Sequence, residues 1–248
     1  MECHKLGPKA YRVTKKFELV TITSPLFDMD FLKVDYTVAG LGVTGMELRR
    51  VGADMDMNKI ETWVDPALPS QGWTDTCGEP AGTIRVIFKP ENIQPFTMAA
   101  QALVIHEGVH ASLRRRKIAS SGHLEEAAGY LAQALFFELN GESILETWKS
   151  EHEWEMNLDH IDDPIQADSK ARIYAAAEKL VERFDLDSAP GVALTAGAIA
   201  ELLGAIAKDP GYARPPKKPA SPKPKPHPAT LLERIRARRA KRRARWGH

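Results

Sequence analysis

Apolar residues recur at a helical spacing between residues 97 and 116, where one face carries Ala99, Leu103, His106, His110 and Leu113. This pattern predicts a helix from about Thr97 to Arg116. A break follows at Ser120-Ser121-Gly122. Residues 123–138 then predict a second helix, whose apolar stripe is made by Leu124, Ala128, Leu131 and Leu135.

Three further segments predict helices that complete the core: residues 142–156, 165–184 and 194–207, the last of them reached through Ala189-Pro190-Gly191. Trp148 and Trp154 lie at helical spacing on the first of these segments. Large aromatic side chains at this spacing usually pack in the core, and lining of a cleft is the alternative interpretation.

Four segments before this region show β-branched and alternating character and are bounded by Gly and Pro: 17–23, 33–38, 46–51 and 83–89. They predict a small, mainly antiparallel sheet. The fold class expected is therefore α+β, with this sheet followed by a mostly helical core in one domain over residues 1–210. The composition, 43% hydrophobic and 27% charged, is that of an ordinary soluble protein, and no apolar run is long enough to span a bilayer.

The formal net charge of +1 conceals a basic tail. Residues 211–248 contain thirteen Lys and Arg against Glu233 alone. Proline at nearly every second position from 215 to 228 favours an extended spacer, and Thr230–Glu233 has the spacing of a capping box for a short helix formed on binding. This charge suggests one of three partners: nucleic acid, an anionic membrane surface or an acidic protein face. The alternative is a tail that only makes the protein more soluble.

Cys3 and Cys77 are far apart in sequence and belong to no C-x-x-C motif. We expect them to be reduced thiols of a cytoplasmic protein, with a disulfide between them as the alternative. The first residues contain no apolar stretch typical of a secretory signal. Export would then use a route without a recognisable signal peptide.

The first predicted helix contains His106-Glu107-Gly108-Val109-His110, an H-E-x-x-H motif. Residues i and i+4 on a helix lie about 5–6 Å apart at Cβ, so both imidazoles can reach one Zn²⁺ at roughly 2.0–2.1 Å. Glu107 would lie beside the metal without binding it. The alternative is a pair of core histidines bonded to backbone carbonyls, which would bury polar groups at a cost without using them.

A site of this type needs a third protein ligand. The extended motif H-E-x-x-H-x-x-G-x-x-H is excluded because positions 113 and 116 are Leu and Arg. Glu125, Glu126 and His123 are the candidates on the second helix. The two glutamates point about 100° apart, so helical geometry allows only one of them to reach the metal.

The H-E-x-x-H helix and the helix that follows it resemble the gluzincin metallopeptidases and a group of small bacterial metallopeptidase-like proteins. The second helix contributes to this resemblance with Glu126-Ala-Ala-Gly-Tyr130-Leu-Ala-Gln133-Ala-Leu. The resemblance is strong over residues 97–140. It implies that His106, His110 and Glu126 hold one Zn²⁺, that the fourth position takes water, and that Glu107 is the general base. Tyr130, one turn beyond Glu126, would hydrogen-bond an oxyanion, or else is a core tyrosine. By the same analogy residues 83–89 are a candidate edge strand for substrate, or else an internal strand.

The sequence thus predicts a zinc-dependent hydrolase that acts on a peptide or protein. The alternative is a binding protein that keeps a metal for stability and docks through its basic tail. A structural zinc site would be closed by a fourth protein ligand and would have little use for Glu107, and this favours the enzyme.

Overall fold

In the computed structural model the described backbone comprises residues 3–156 and 164–212, and the described side chains comprise residues 3–150 and 169–212. The prediction for the Trp154 side chain and those for the basic tail beyond Tyr212 lie outside these residues.

The two helices predicted around the H-E-x-x-H motif are confirmed and pack against each other. Helix α3 spans Met98–Arg115, and the Thr97 side chain caps it by accepting a hydrogen bond from the Ala100 N–H. Helix α4 spans Gly122–Leu139 and is capped in the same way by Ser121, which accepts from the Leu124 N–H. Each cap satisfies a backbone donor that the first turn leaves without a helical partner.

The helices after residue 140 also agree with the periodicity, except at the start of the last one. Helix α5 spans Ile144–Met156 and helix α6 spans Pro164–Arg183. The last helix, α7, spans Ala200–Lys208 rather than starting at Leu194, because Val192–Leu194 forms a strand, β7. Among the helices described, none combines the length and apolar character needed to cross a bilayer.

The fold class α+β is confirmed, and within the described residues the strands form two mixed sheets instead of one mainly antiparallel sheet. The larger sheet has the order β1 (Tyr11–Arg12), β4 (Glu61–Val64), β6 (Thr83–Phe88) and β5 (Gly72–Gly78), in which β4 and β6 are parallel. The smaller sheet has the order β3 (Leu41–Thr44), β2 (Asp35–Val38) and β7, in which β2 and β7 are parallel.

Two of the predicted strands were wrong, because residues 17–23 and 46–51 lie in helices. Helix α1 spans Lys16–Thr23, and helix α2 spans Gly45–Asp56. Thr44 caps α2 by accepting a hydrogen bond from the Glu47 N–H, and α2 buries Leu48, Val51 and Met55 on one face. In residues 46–51 only Val51 is β-branched and the buried positions recur at helical spacing, whereas in residues 17–23 tertiary burial of Leu19 and Ile22 outweighs the strand preference of the β-branched residues.

The prediction that residues 83–89 form an edge strand was also wrong. Strand β6 lies inside the sheet, between β4 and β5, and β5 is the edge. The sequence pattern did not reveal β5 because its residues, Gly-Trp-Thr-Asp-Thr-Cys-Gly, are mostly polar or small.

The expectation of reduced thiols was wrong as well, because Cys3 and Cys77 form a disulfide with their Cα atoms 5.8 Å apart. The bridge ties the N-terminal segment to β5. Two further contacts fix the segment there: the His4 N–H donates to Asp75 Oδ2 over 3.1 Å, and Arg85 donates to the His4 carbonyl over 3.0 Å. The strand pairing of β5, rather than sequence spacing, brings the cysteines together.

Candidate metal centre

His106, His110 and Glu126 converge at the junction of α3 and α4. The two Nε2 atoms are 3.1 Å apart. Glu126 Oε2 lies 3.2 Å from His106 Nε2, and Glu126 Oε1 lies 3.5 Å from His110 Nε2. Three ligands placed tetrahedrally around one zinc at roughly 2.0–2.1 Å are about 3.3–3.4 Å apart. The three side chains are therefore spaced as the ligands of a single metal ion.

The other nitrogen of each imidazole faces an acceptor. Nδ1 of His106 donates to Gln133 Oε1 over 3.0 Å, and Nδ1 of His110 lies 3.6 Å from Glu125 Oε2. With the proton on Nδ1 in both rings, the two Nε2 lone pairs point at each other and at a carboxylate. Only a cation between them, a proton or a metal, makes this arrangement favourable, and so the donor set fits a metal.

The electrostatics of the cluster agree with this. Burial by itself lowers the pKa of His110, but the charge of Glu126 and hydrogen bonds to Glu125 and Glu126 raise it to about 10. Burial raises the pKa of Glu126, yet the two histidines hold it well below its ordinary value. The cluster therefore stabilises positive charge among its three side chains.

The other two candidates for the third ligand, Glu125 and His123, lie outside the cluster. Glu125 forms a two-pronged ion pair with Arg114 and accepts a hydrogen bond from Ser120 Oγ at 2.5 Å. Burial raises the pKa of Glu125, but its hydrogen bonds to His110, Arg114 and Ser120 lower it to about 2. Glu125 thus orients His110 from outside the cluster, while the His123 side chain is exposed to solvent.

Glu107 is buried between α3 and β5. Its Oε2 accepts a hydrogen bond from Thr74 Oγ1 over 2.7 Å, and a Cβ added at Gly72 would lie 2.5 Å from its Oε1. Strand β5 therefore approaches the carboxylate so closely that a side chain at position 72 would require Glu107 to move. Thr74, two residues after Gly72 on the same strand, fixes the orientation of the Glu107 carboxylate.

Tyr130 lies next to a metal-ligand candidate. Its ring meets that of His106 edge on, with centroids 4.8 Å apart. Its hydroxyl forms hydrogen bonds with Tyr212 Oη, at 2.7 Å, and with Lys170 Nζ. Burial raises the pKa of Tyr130 well above its ordinary value, and the side chain is inside the protein.

Four side chains that shape this centre were not identified from the sequence: Thr74, Gln133, Lys170 and Tyr212. Gln133 carried a signal, since it lies seven residues after Glu126 and thus two turns along the same helical face. Tyr212 lies just past the predicted domain end at residue 210. Thr74 and Lys170 come from other elements, and nothing in the local sequence connects them to the motif.

A cavity of about 280 Å³ adjoins the centre. Gln133 and Leu103 line it, and its remaining walls include Phe137, Trp148 and Tyr174. Leu103 lies one helical turn before His106 and Glu107 on α3. Trp148 therefore lines a cavity as well as packing against Tyr174, from which its ring centroid is 6.2 Å distant.

Comparisons with models of known protein families, with curated proteins and with solved structures gave no match. The chemistry of the centre itself is informative. Two imidazoles and a carboxylate form a donor set that suits zinc and other first-row transition metals. A second carboxylate, that of Glu107, follows His106 on the same helix and does not belong to this group of three side chains.

Proposed function

We propose that this protein is a zinc-dependent hydrolase that cleaves peptide bonds. The observation that carries the proposal is the convergence of His106, His110 and Glu126 with Glu107 next to them on the same helix. Within the described part of the chain, no fourth protein ligand closes the cluster. A closed site is the mark of structural zinc, so the open cluster favours the enzyme over the metal-stabilised binding protein.

His106, His110 and Glu126 would hold the ion, which when bound supplies a Lewis acid and a water of lowered pKa. Glu107 accepts the proton of the attacking water and transfers it to the leaving amine. Thr74 keeps the Glu107 carboxylate in one orientation through its 2.7 Å hydrogen bond. Gln133 and Glu125 keep both imidazoles turned with Nε2 toward the cluster.

The edge strand β5 supports peptides as the substrate class. It pairs with β6 on one side, and its other side has no strand partner among the described residues. An extended peptide can add to such an edge through main-chain hydrogen bonds. Because β5 also contacts Glu107 through Gly72 and Thr74, a peptide paired there would pass close to the general base.

Metal analysis of the purified protein tests the metal ligands, comparing the wild type with Glu126→Ala and Glu125→Ala. We expect one zinc per chain in the wild type and its loss in Glu126→Ala. Glu125→Ala is the matched control, because it removes the adjacent carboxylate but no ligand, and it should still bind zinc at saturating concentration. A wild type that binds no zinc even in excess metal at neutral pH would refute the proposal.

Hydrolysis of a peptide library by the wild type and by Glu107→Gln tests the general base. The substitution keeps size and hydrogen-bonding capacity but removes the proton acceptor. We expect Glu107→Gln to keep its zinc and to lose hydrolysis. Loss of zinc in the same variant would show that Glu107 has a structural or ligand role instead.

We also propose that the protein acts in an oxidising compartment, because the Cys3–Cys77 disulfide persists only there in most organisms. Mass spectrometry of the protein, taken from cells under conditions that trap free thiols, tests this. Both cysteines should be found in the disulfide. Two free thiols in the native host would contradict it.

A further inference from the structure

The cavity beside the metal centre has a wall of large apolar side chains. Leu103, Phe137 and Tyr174 are buried, and Ile144 and Trp148 complete this wall. Pockets that bind ligands typically combine such a wall with a few polar groups that fix the ligand's orientation.

One such polar group is the side-chain amide of Gln133, a residue that is 5% exposed. Its Oε1 accepts from His106, while its Nε2 donor has no partner among the described residues. Since Gln133 lines the cavity, an acceptor on a bound molecule would satisfy it.

The cavity is also continuous with the start of the edge strand. Gln71, which immediately precedes β5, lines it, and the Gln71 carbonyl accepts hydrogen bonds from the Lys89 N–H and from Asn92 Nδ2, each over 3.3 Å. This corner is therefore held in place by the neighbouring segment. A peptide paired with β5 would reach the cavity at Gln71.

We propose that this cavity binds one large apolar side chain of the substrate peptide, with tyrosine preferred to phenylalanine. The tyrosine hydroxyl accepts a hydrogen bond from Gln133 Nε2, and the aromatic ring packs against Phe137, Trp148 and Tyr174. The inference rests on the proposed peptidase function and adds its side-chain specificity. Gln133 then has two tasks, because one end of its amide orients the ligand candidate His106 while the other end contacts the substrate.

Peptide binding by the Glu107→Gln protein, saturated with zinc, tests this without requiring turnover. A random library of acetylated peptides is incubated with the protein, and the bound fraction is sequenced. We expect Tyr, Phe, Leu and Met to be enriched over Ala at one position by at least about tenfold, the lower end of discrimination by an apolar pocket. Absence of any such enrichment would overturn the inference.

Substitutions at Ala99, a partly exposed residue that lines the cavity in the first turn of α3, test whether the cavity is responsible. Ala99→Phe fills the cavity and should abolish the preference for large side chains. Ala99→Ser, the matched control, leaves the space open and should keep it. An unchanged preference in Ala99→Phe would refute the assignment of the cavity.

Gln133→Leu tests the amide. In the parent protein we expect peptides with tyrosine to bind at least about threefold more tightly than those with phenylalanine, consistent with one net hydrogen bond. Gln133→Leu should bring this ratio to one at saturating zinc. Glu125→Gln is the control. This substitution weakens the support of His110, but Glu125 does not line the cavity, so the ratio should be kept. A ratio that survives in Gln133→Leu refutes the role of the amide.

These results separate this inference from the proposed function. If the wild type hydrolyses no peptide while the Glu107→Gln protein still selects large side chains, the hydrolase proposal fails and the cavity assignment stands. If the wild type hydrolyses peptides without any side-chain preference at one position, the cavity assignment fails and the hydrolase stands.

Discussion

Gln133 and Glu125 each face the Nδ1 atom of one imidazole and so favour the orientation in which Nε2 points into the cluster. The Gln133 carboxamide faces Nδ1 of His106, and the Glu125 carboxylate faces Nδ1 of His110. The two Nε2 atoms are therefore turned toward each other, 3.1 Å apart. Such supporting contacts tune the affinity of a metal site without contributing a ligand. Gln133 and Glu125 belong to α4, as does Glu126, and this helix therefore provides one ligand candidate and the support of two others.

We expect removal of either support to weaken zinc binding without abolishing it. Gln133→Leu and Glu125→Gln should each reduce zinc affinity by about 10–100-fold, the usual cost of losing such a partner. Competition with a chromophoric chelator measures this. Glu126→Ala gives the reference for loss of a ligand, and equal losses in all three variants would contradict the separation of roles.

Gly72 is the residue whose size most directly controls the position of Glu107. A Cβ there would lie 2.5 Å from Glu107 Oε1 and 2.8 Å from its Cγ, so the carboxylate would have to move. Misplacement by about 1 Å can reduce turnover by about 100-fold. We therefore expect Gly72→Ala to lower kcat by one to two orders of magnitude at unchanged zinc content.

Gly122→Ala is the control for this substitution, because nothing lies within 4 Å of the Cβ it adds. Its kcat on the same peptide should be that of the wild type. Full activity in Gly72→Ala would mean that Glu107 has room to adjust, and that β5 does not determine its position.

At the scale of the element, the helices that carry the centre could be predicted, as could strands β2 and β6, whereas β5 and the helices α1 and α2 could not. Helices α3 and α4 have long stripes with caps at Thr97 and Ser121, so their pattern is unambiguous. The segments at 17–23 and 46–51 are short, and the first is rich in β-branched residues. Their helical state depends on packing between α1 and α2, which includes the 2.8 Å hydrogen bond from Thr23 Oγ1 to Asp56 Oδ1. Strand β5 owes its existence to pairing with β6, which no local pattern records.

Strand β5 is anchored to β6 and to the N-terminal segment by Asp75. This buried carboxylate accepts two hydrogen bonds from Arg85, at 2.8 and 2.7 Å. Burial alone would raise the pKa of Asp75, but Arg85 and the backbone N–H groups of Cys77 and His4 hold it below its ordinary value. Because the pKa is lower in the folded state, the stabilisation is present above about pH 3.8 and is lost as the pH falls through the folded-state pKa.

Asp75→Asn should remove this part of the pH dependence. It should also lower the free energy of unfolding at neutral pH by about 3–5 kcal/mol, because the Arg85 guanidinium is left buried without its partner. Urea unfolding between pH 2.5 and 7 measures both effects. Asp30→Asn is a control in an exposed ion pair with Lys33, and it should change the free energy of unfolding by less than about 1 kcal/mol. Parallel curves for the wild type and Asp75→Asn would contradict the pKa assignment.

At the scale of the whole molecule, the centre has two supports of different origin. The ligand candidates come from the helix pair α3 and α4, whereas the orientation of Glu107 comes from β5, which the disulfide and Asp75 tie to the N-terminal segment. The first support was visible in the sequence because its residues lie within one local motif. The second joins residues 3, 75, 77 and 107, and it becomes apparent only when the sheet is assembled.

This division predicts different responses of zinc content and turnover to reduction of Cys3–Cys77. The bridge closes a loop of 74 residues, and loss of such a constraint typically costs about 2–4 kcal/mol. A reducing agent should therefore lower the Tm, and it should lower kcat because β5 is less firmly held against Glu107. Zinc content should stay at its initial value, since none of its ligand candidates contacts the bridge. The Cys3→Ser and Cys77→Ser double variant should reproduce the reduced state and not respond to the reagent. If reduction instead releases zinc in proportion to the loss of turnover, the helix pair also depends on the Cys3–Cys77 disulfide, and the two supports are not independent.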